Sequence, residues 1–151
     1  MKTISAFLLS LICFQLFACS KNEEVKQPEN PTTISTSKMK ITIGSTVFTA
    51  TLYDNVTANA FKTMLPLTIT MSDLNANEKF FYFSSTLPTN AASGGSIQAG
   101  DLMLYGNNCL VLFYESFNTS YSYSRIGKID DVAELETALG AGNVTVKYEL
   151  N

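Results

Sequence analysis

The sequence contains no histidine and no tryptophan, and Arg125 is its only arginine. Without histidine, a Ser-His or Cys-His nucleophile and a His-ligated zinc or iron site are both excluded. The 10 lysine and arginine residues are outnumbered by 13 aspartate and glutamate residues, so the formal net charge is −3. Because nucleic-acid binding needs clustered cations to neutralise phosphates, this balance argues against a nucleic-acid partner.

Cysteine is also scarce, with three residues in the chain. Cys13 and Cys19 lie in an N-terminal segment that we interpret as an export signal, so Cys109 alone is left for the folded domain. One cysteine can form neither an intramolecular disulfide nor a thiolate metal cluster. Its neighbours Leu110 and Val111 are apolar, so we expect Cys109 to be a small buried residue, and we predict no metal and no cofactor.

The N-terminus has the order of features that is typical of a secretory signal. Lys2 precedes an apolar run over residues 4–17, and the small residue Ala18 follows it. As a helix, this run of about 14 residues would cover only about 21 Å of a hydrocarbon core that is about 30 Å thick. A permanent transmembrane span is therefore not expected here.

The residues that close this segment, Leu16 to Cys19, resemble the lipobox of bacterial lipoproteins. In those proteins the cysteine is thioether-linked to diacylglycerol, and the signal is cleaved just before it. The resemblance implies that residues 1–18 are a lipoprotein signal peptide and that Cys19 is the lipid attachment site. We therefore expect the membrane as a partner and a location in the bacterial cell envelope, lipid-anchored to the outer membrane on its periplasmic side or at the cell surface. A plain signal peptide that ends in a chance cysteine is the alternative.

Residues 19–37 are polar, charged and interrupted by proline, so they cannot bury enough apolar surface to offset the entropy cost of ordering. We predict a flexible tether with a root-mean-square reach of roughly 23 Å. Glu23 and Glu24 resemble the acidic surface-export signals of lipoproteins in Bacteroidetes-type bacteria. An acidic linker that stays on the periplasmic side is the other interpretation.

Residues 38–151 are long enough for one monomeric domain with one core. Apolar residues alternate with polar ones in much of this segment, which predicts short strands joined by tight turns. The strands are expected at residues 38–43, 46–53, 67–71, 78–84, 97–105, 109–114, 122–129 and 144–148. Two short helices are expected, at Val56–Leu65 and from an Asp131–Glu134 capping box to Leu139. Residues 87–96 are rich in Gly, Ser, Asn and Pro, and they predict a mobile loop.

The predicted strand at residues 78–84 carries aromatic side chains on both faces, because Phe81 and Phe83 alternate with Phe80 and Tyr82. We expect one face in the core and the other under a loop or a helix. Roughly eight short strands with hairpin connections favour a closed β-barrel or a sandwich over a parallel sheet, because long crossovers are missing. Periodicity alone does not separate these two architectures.

Several strings resemble the cyclophilin-like domain family of bacteria. They are Phe61 to Thr68, Gly95 to Leu102, Val111 to Tyr114 and Ser122 to Ile129, and the similarity extends over about Met39 to Leu150. The resemblance implies a mainly β fold, an eight-stranded antiparallel closed β-barrel with a helix packed at one end. It implies much less about activity, because one fold supports many functions.

Prolyl isomerases of the cyclophilin class use an arginine beside a proline pocket that is built from Phe, Trp and His. This chain lacks Trp and His, and the sequence around Arg125 does not match the isomerase motif. We therefore predict no catalytic residue and expect a non-enzymatic ligand-binding, peptide-binding or interaction domain. An enzyme on the same scaffold, such as a weak prolyl isomerase, is the first alternative. A structural component of the envelope is the second.

The candidate ligand pocket is predicted from the stretch Tyr121 to Arg125. Alternation along a strand places Tyr121, Tyr123 and Arg125 on one face. A guanidinium flanked by aromatic rings can bind a carboxylate or a peptide end, so we predict a peptide or a small anionic ligand. Tyr82 or Glu115 would share this pocket if their strands are neighbours. The alternative is that Arg125 forms a structural ion pair at the rim.

Overall fold

The structure, a computed structural model, describes residues 37–151, which form nine β-strands and two short helices. The strands are β1 (Lys38–Ile43), β2 (Thr46–Leu52), β3 (Leu67–Leu74), β4 (Glu78–Tyr82), β5 (Ala92–Ile97), β6 (Asp101–Tyr105), β7 (Cys109–Phe113), β8 (Phe117–Ile129) and β9 (Val144–Leu150). Helix α1 (Val56–Lys62) lies between β2 and β3, and α2 (Leu135–Leu139) lies between β8 and β9. The predicted signal peptide, Cys19 and almost all of the predicted tether fall outside the described residues.

All nine strands belong to one antiparallel sheet, in the order β2-β1-β9-β3-β4-β7-β6-β8-β5. An additional pairing of β2 with β8 closes eight of the strands into a ring. Strand β5 lies outside the ring and pairs, among the described strands, with β8 alone. The prediction of a mainly β, antiparallel fold with two short helices is confirmed.

The core lies inside the ring and receives side chains from its strands and from α1. Alternate residues of each strand point inward, as Met39, Ile41 and Ile43 of β1 do. Tyr148 of β9 and Phe61 of α1 are fully buried and contact each other edge to face, with ring centroids 5.9 Å apart. Because removal of apolar surface from water is the main favourable term in folding, this interior stabilises the ring.

Helix α1 begins as predicted, because Asn55 caps it. The Asn55 side chain accepts a hydrogen bond from the first turn of the helix at 2.9 Å and donates another to the Arg125 carbonyl of β8 at 2.9 Å. The helix ends at Lys62, earlier than the predicted end at Leu65. Pro66 disfavours helical backbone at the residue before it, so the last turn cannot continue.

Helix α2 does not use the predicted Asp131–Glu134 capping box. Asp131 Oδ1 accepts a hydrogen bond from the Ala133 N–H at 2.9 Å, and Glu134 has left-handed backbone (φ 59°) with no side-chain cap. Aspartate commonly forms such a local turn in competition with a helix, so α2 begins only at Leu135. Within residues 37–151, no helix has the length and apolarity that a membrane crossing requires.

The β5–β8 region departs most from the sequence prediction. Residues 87–96 predict a loop, but Ala92–Ile97 form β5, and β8 begins at Phe117 instead of Ser122. Strand β5 pairs over most of its length with the N-terminal half of β8. Strand β5 is mostly glycine, serine and alanine, which do not favour a strand by intrinsic propensity. The strand forms because it pairs with β8, and this pairing is not visible in the sequence of β5 alone.

A buried charge joins the β3–β4 hairpin to the turn that follows α2. The Lys79 side chain is fully buried, and its Nζ lies 2.6 Å from Asp73 Oδ2. Lys79 also donates to the carbonyl oxygens of Gly140 at 2.7 Å and Gly142 at 2.8 Å. The Tyr114 hydroxyl donates to the same Asp73 oxygen at 2.7 Å. The ammonium therefore has three oxygen partners, which offset its removal from water.

Candidate functional site

Strands β4, β6 and β7 have a second apolar face that points away from the ring interior. Alternate residues of these strands form a second hydrophobic cluster together with residues of β5 and β8; its buried members are Ile97, Met103, Cys109, Val111, Phe113 and Tyr123. The N-terminal half of β8 covers this face, with Phe117 packed on Phe113 at a centroid distance of 5.6 Å. The expected cover was a loop or a helix, and this expectation is wrong because the extended strand β8 supplies it.

A cavity of about 470 Å³ lies between this face and β8. One wall consists of alternate residues of β4, namely Glu78, Phe80 and Tyr82, and the opposite wall consists of alternate residues of β8, namely Phe117, Thr119, Tyr121 and Tyr123. Tyr105, Cys109 and Val111 line the cavity between the two walls. Because side chains alternate along a strand, the aromatic rings on one face of β4 and on one face of β8 point into the same space. We call this space the tyrosine cavity.

Three tyrosines and one cysteine form a continuous row across the sheet. The register places Tyr82 opposite Cys109, Cys109 opposite Tyr105, and Tyr105 opposite Tyr123. The Tyr105 ring lies 5.5 Å from that of Tyr123 and 5.9 Å from that of Tyr121. Tyr82 is 59% exposed and Tyr121 is 62% exposed, so these two rings stand at the opening, whereas Tyr123 is buried.

Burial shifts the pKa values of several groups that line the cavity. Burial raises the pKa of the Cys109 thiol, so Cys109 stays protonated near neutral pH and is a poor nucleophile. Cys109, which would be an anion at high pH, in turn raises the pKa of Tyr82. Burial also raises the pKa of Tyr123 to about 12 and, together with the charge of Asp73, raises the pKa of the Glu78 carboxyl. Both phenols are therefore neutral under physiological conditions.

Arg125 lies in a different cavity, with a volume of about 340 Å³, which we call the arginine cavity. Its Nη1 atom lies 3.8 Å from Asp101 Oδ2, and Asp101 is almost completely buried. Tyr123 lines both cavities and separates them. The four predicted pocket residues thus do not share one site. Tyr82, Tyr121 and Tyr123 line the tyrosine cavity. Arg125 lines the arginine cavity and forms an ion pair with Asp101, which is the alternative that the sequence also allowed.

The β-bulge in β8 does not account for this separation, because it lies beyond Arg125. Leu102 of β6 pairs with Gly127 of β8, but the next residue, Met103, pairs with Arg125, so β8 contains an extra residue at this point. From Tyr123 to Arg125 the pairing with β6 is regular, so Arg125 keeps the face of Tyr123 and lies two residues farther along the strand, beside Asp101. Strand β8 also changes its partner here, from β5 to β2. Glu115, the other residue considered for the pocket, lines neither cavity.

Sequence reasoning missed Tyr105, Cys109 and Glu78 as lining residues. Tyr105 and Cys109 flank the predicted hairpin turn at residues 106–108, so their pairing across the two strands could have been read from the turn. Glu78 shares the face of Phe80 and Tyr82 through the alternation of β4. What the sequence does not reveal is that β8 folds over this face. Among residues 37–151, no three acidic or cysteine side chains lie close enough together to hold a metal ion.

Comparisons with known proteins agree on the fold. A model of the cyclophilin-like family matches residues 41–149. The solution structure of a hypothetical protein from Archaeoglobus fulgidus is similar, with a TM-score of 0.57 and 19% sequence identity. The alignment covers 77% of this chain and 95% of that protein, and at this identity it describes the fold alone. No curated protein is significantly similar to the chain.

Proposed function

The chain belongs to the cyclophilin-like family, and we propose that its domain is a non-enzymatic binding module whose ligand occupies the tyrosine cavity. The observation that carries this proposal is the convergence of Tyr82, Tyr105, Tyr121 and Tyr123 on one open space. A volume of about 470 Å³ lies within the usual range of small-ligand pockets, about 300–1,000 Å³. Phenol rings offer both an apolar face and a hydroxyl, which suits a small organic ligand or a peptide side chain.

The arginine cavity is the weaker candidate for a ligand. Arg125 already faces the buried Asp101 carboxylate at 3.8 Å, and the acidic Asp54 lines the same cavity. Two carboxylates near one guanidinium reduce its attraction for an anion. The small anionic ligand predicted from the sequence is thus less well supported than a ligand of the tyrosine cavity.

The proposed location is the bacterial cell envelope. The lipobox-like end of the leader at Cys19 supports a lipid anchor in the outer membrane, and the polar residues 19–37 support a tether between that anchor and the domain. The closing β2–β8 pairing supports the interpretation of the ring as a closed eight-stranded barrel. Together these features favour a compact receptor for a ligand near the membrane surface.

Intrinsic fluorescence offers a direct test of binding, because the chain has no tryptophan and four of its seven tyrosines line the cavity. The full chain, expressed with its leader and purified in a non-ionic detergent, is titrated with a library of small aromatic and aliphatic compounds. We expect binders that change tyrosine emission and that lose about tenfold in affinity with Tyr121→Ala, since the ring is a major contact surface. Tyr53→Ala, which alters the arginine cavity, is the matched control and should leave the affinity unchanged.

The enzyme alternative predicts a different result. The same preparation is mixed with a proline-containing peptide, and the rate of cis-trans isomerisation is followed. The proposal predicts the uncatalysed rate, because Arg125 is ion-paired and lies outside the aromatic cavity. Catalysis that disappears in Arg125→Ala would replace the binding proposal by the isomerase alternative.

A further inference from the structure

A carboxylate lines the tyrosine cavity without a counter-charge among the described residues. Glu78 lines it and is half-buried, and within residues 37–151 no lysine or arginine nitrogen lies within 4.0 Å of its carboxylate. The adjacent Lys79 is not its counter-ion, because the Lys79 ammonium is ion-paired with Asp73. A partly buried carboxylate without a cation is costly, and a ligand cation can offset this cost.

Other groups around Glu78 also favour a cation in the cavity. Asn77 also lines the cavity, and its buried Oδ1 accepts no hydrogen bond in the described part of the chain. Of the lining residues within the described part of the chain, none is a lysine or an arginine. The remaining walls are mostly aromatic, and an aromatic ring presents a negative face to a cation. The Glu78 carboxylate, the Asn77 amide oxygen and the ring faces thus all favour a cationic ligand.

We propose that the ligand of the tyrosine cavity is an organic ammonium cation, whose charged group pairs with Glu78 and whose carbon skeleton packs on Tyr82, Tyr105 and Tyr121. This inference rests on the proposed function and names its ligand class. An anion would meet Glu78 without a compensating cation. A neutral ligand would fill the aromatic space but leave the carboxylate unpaired. The net charge of −3 also favours the approach of a cation.

The test compares two probes of the same shape that differ in charge, phenethylamine and 2-phenylethanol. The full chain in non-ionic detergent is titrated with each probe near neutral pH, and tyrosine emission is followed. We expect phenethylamine to bind about tenfold or more tightly than the alcohol, because its ammonium group adds an ion pair and cation–π contacts. Glu78→Gln should remove this preference by weakening phenethylamine binding about tenfold or more. Glu115→Gln, a carboxylate outside both cavities, should retain the preference.

A second pair of probes distinguishes free amines from peptides as the source of the ammonium group. An acetylated and amidated Gly-Lys-Gly tripeptide is compared with the same peptide carrying norleucine in place of lysine. Tighter binding of the lysine peptide than of phenethylamine would support a peptide side chain, and the reverse order would support a free amine. Both results support an ammonium ligand, and both should depend on Glu78.

Two results would overturn the inference while leaving the proposed function intact. One is equal binding of phenethylamine and 2-phenylethanol, with both weakened by Tyr121→Ala. The other is a charge preference that survives in Glu78→Gln. If Glu78→Gln does not fold, Tyr121→Leu at the exposed opening serves instead, and it should weaken phenethylamine more than the alcohol. Loss of Tyr121 dependence for every bound compound would instead overturn the proposed function.

Discussion

At the residue scale, the burial of Lys79 requires a partner for every proton of its ammonium group, because an unpaired buried charge is very costly. The Asp73 carboxylate and the two carbonyl oxygens of Gly140 and Gly142 supply these partners. The Tyr114 ring adds a cation–π contact at 5.4 Å. Lys79 therefore links two turns that are far apart in the sequence.

Lys79→Met is expected to destabilise the domain by about 3–5 kcal/mol, because it leaves Asp73 without its counter-ion and two carbonyl groups without their donor. Unfolding in urea, followed by far-ultraviolet circular dichroism, measures this change. Lys147→Met is the matched control, since Lys147 is exposed and pairs with Glu149 at the surface, and it should cost less than about 1 kcal/mol. Equal effects of the two substitutions would contradict the role given to Lys79.

The same pair predicts a pH dependence of stability. Hydrogen bonds from Lys79 and Tyr114 hold the pKa of Asp73 below its usual value of 3.8. A carboxyl whose pKa is lowered by folding stabilises the folded state fully above its unfolded pKa, and this stabilisation is lost as pH falls through the folded pKa. The free energy of unfolding should therefore decline below about pH 4. Asp73→Asn should show a shallower decline, and an identical slope in both proteins would refute this.

The tyrosines and Arg125 show what a local pattern can and cannot predict. Alternation gave Tyr121 and Tyr123 a common face, and both line one cavity. The same rule placed Arg125 on their face, and the register with β6 agrees, but alternation cannot reveal that Arg125 lines a separate cavity beside Asp101. Glu78 and Tyr105 were missed for the related reason that their position depends on which strand covers them.

At the element scale, β8 has two functions along its 13 residues. Its C-terminal half completes the ring through β6 and β2, and its N-terminal half covers the outer face of β4 and β7 and pairs with β5. The hairpins β1–β2 and β6–β7 were predictable, because tight turns separate alternating or continuous apolar runs. Strand β5 was not predictable, because its glycine and serine residues favour a loop and only its pairing with β8 makes it a strand.

Gly94 explains why β5 can lie so close to β8. A Cβ atom at this position would lie 2.7 Å from Thr119 Cγ2 and 3.2 Å from the Tyr123 ring. Both Thr119 and Tyr123 line the tyrosine cavity. The missing side chain therefore allows β5 to support one wall of the cavity.

Gly94→Ala is expected to destabilise the domain by about 1–3 kcal/mol through overpacking, and to weaken ligand binding by displacing the β8 wall. Urea unfolding and the tyrosine-fluorescence titration measure the two effects. Ser93→Ala, at the exposed neighbouring position, should change neither. Normal binding and stability in Gly94→Ala would show that β5 does not support the cavity.

At the scale of the whole molecule, the ring gives the domain its own core, and the cavity lies outside that core. Ligand binding therefore need not disturb the residues that stabilise the fold. Membership of the cyclophilin-like family accounts for the architecture. It does not determine the ligand, because the chemistry of a site depends on side chains that a shared fold does not specify.

The proposed anchoring is also a property of the whole molecule. Cys19→Ala should abolish incorporation of a labelled fatty acid and move the protein from the membrane fraction to the soluble fraction, because the proposed lipid is what attaches the protein to the membrane. Cell fractionation with and without the label measures both. Cys109→Ala, which removes a cysteine of the folded domain, is the control and should leave the protein in the membrane fraction. Membrane retention of Cys19→Ala would contradict the lipid anchor.

The most direct test of the binding proposal observes all seven tyrosines at once. The full chain is labelled with 13C on the tyrosine rings and titrated with the tightest compound from the fluorescence screen, and ring resonances are recorded by NMR. We expect saturable shifts at Tyr82, Tyr105, Tyr121 and Tyr123, with Tyr53, Tyr114 and Tyr148 unchanged. Shifts centred on Tyr53, which lines the arginine cavity, or an absence of shifts at the four cavity tyrosines would contradict it.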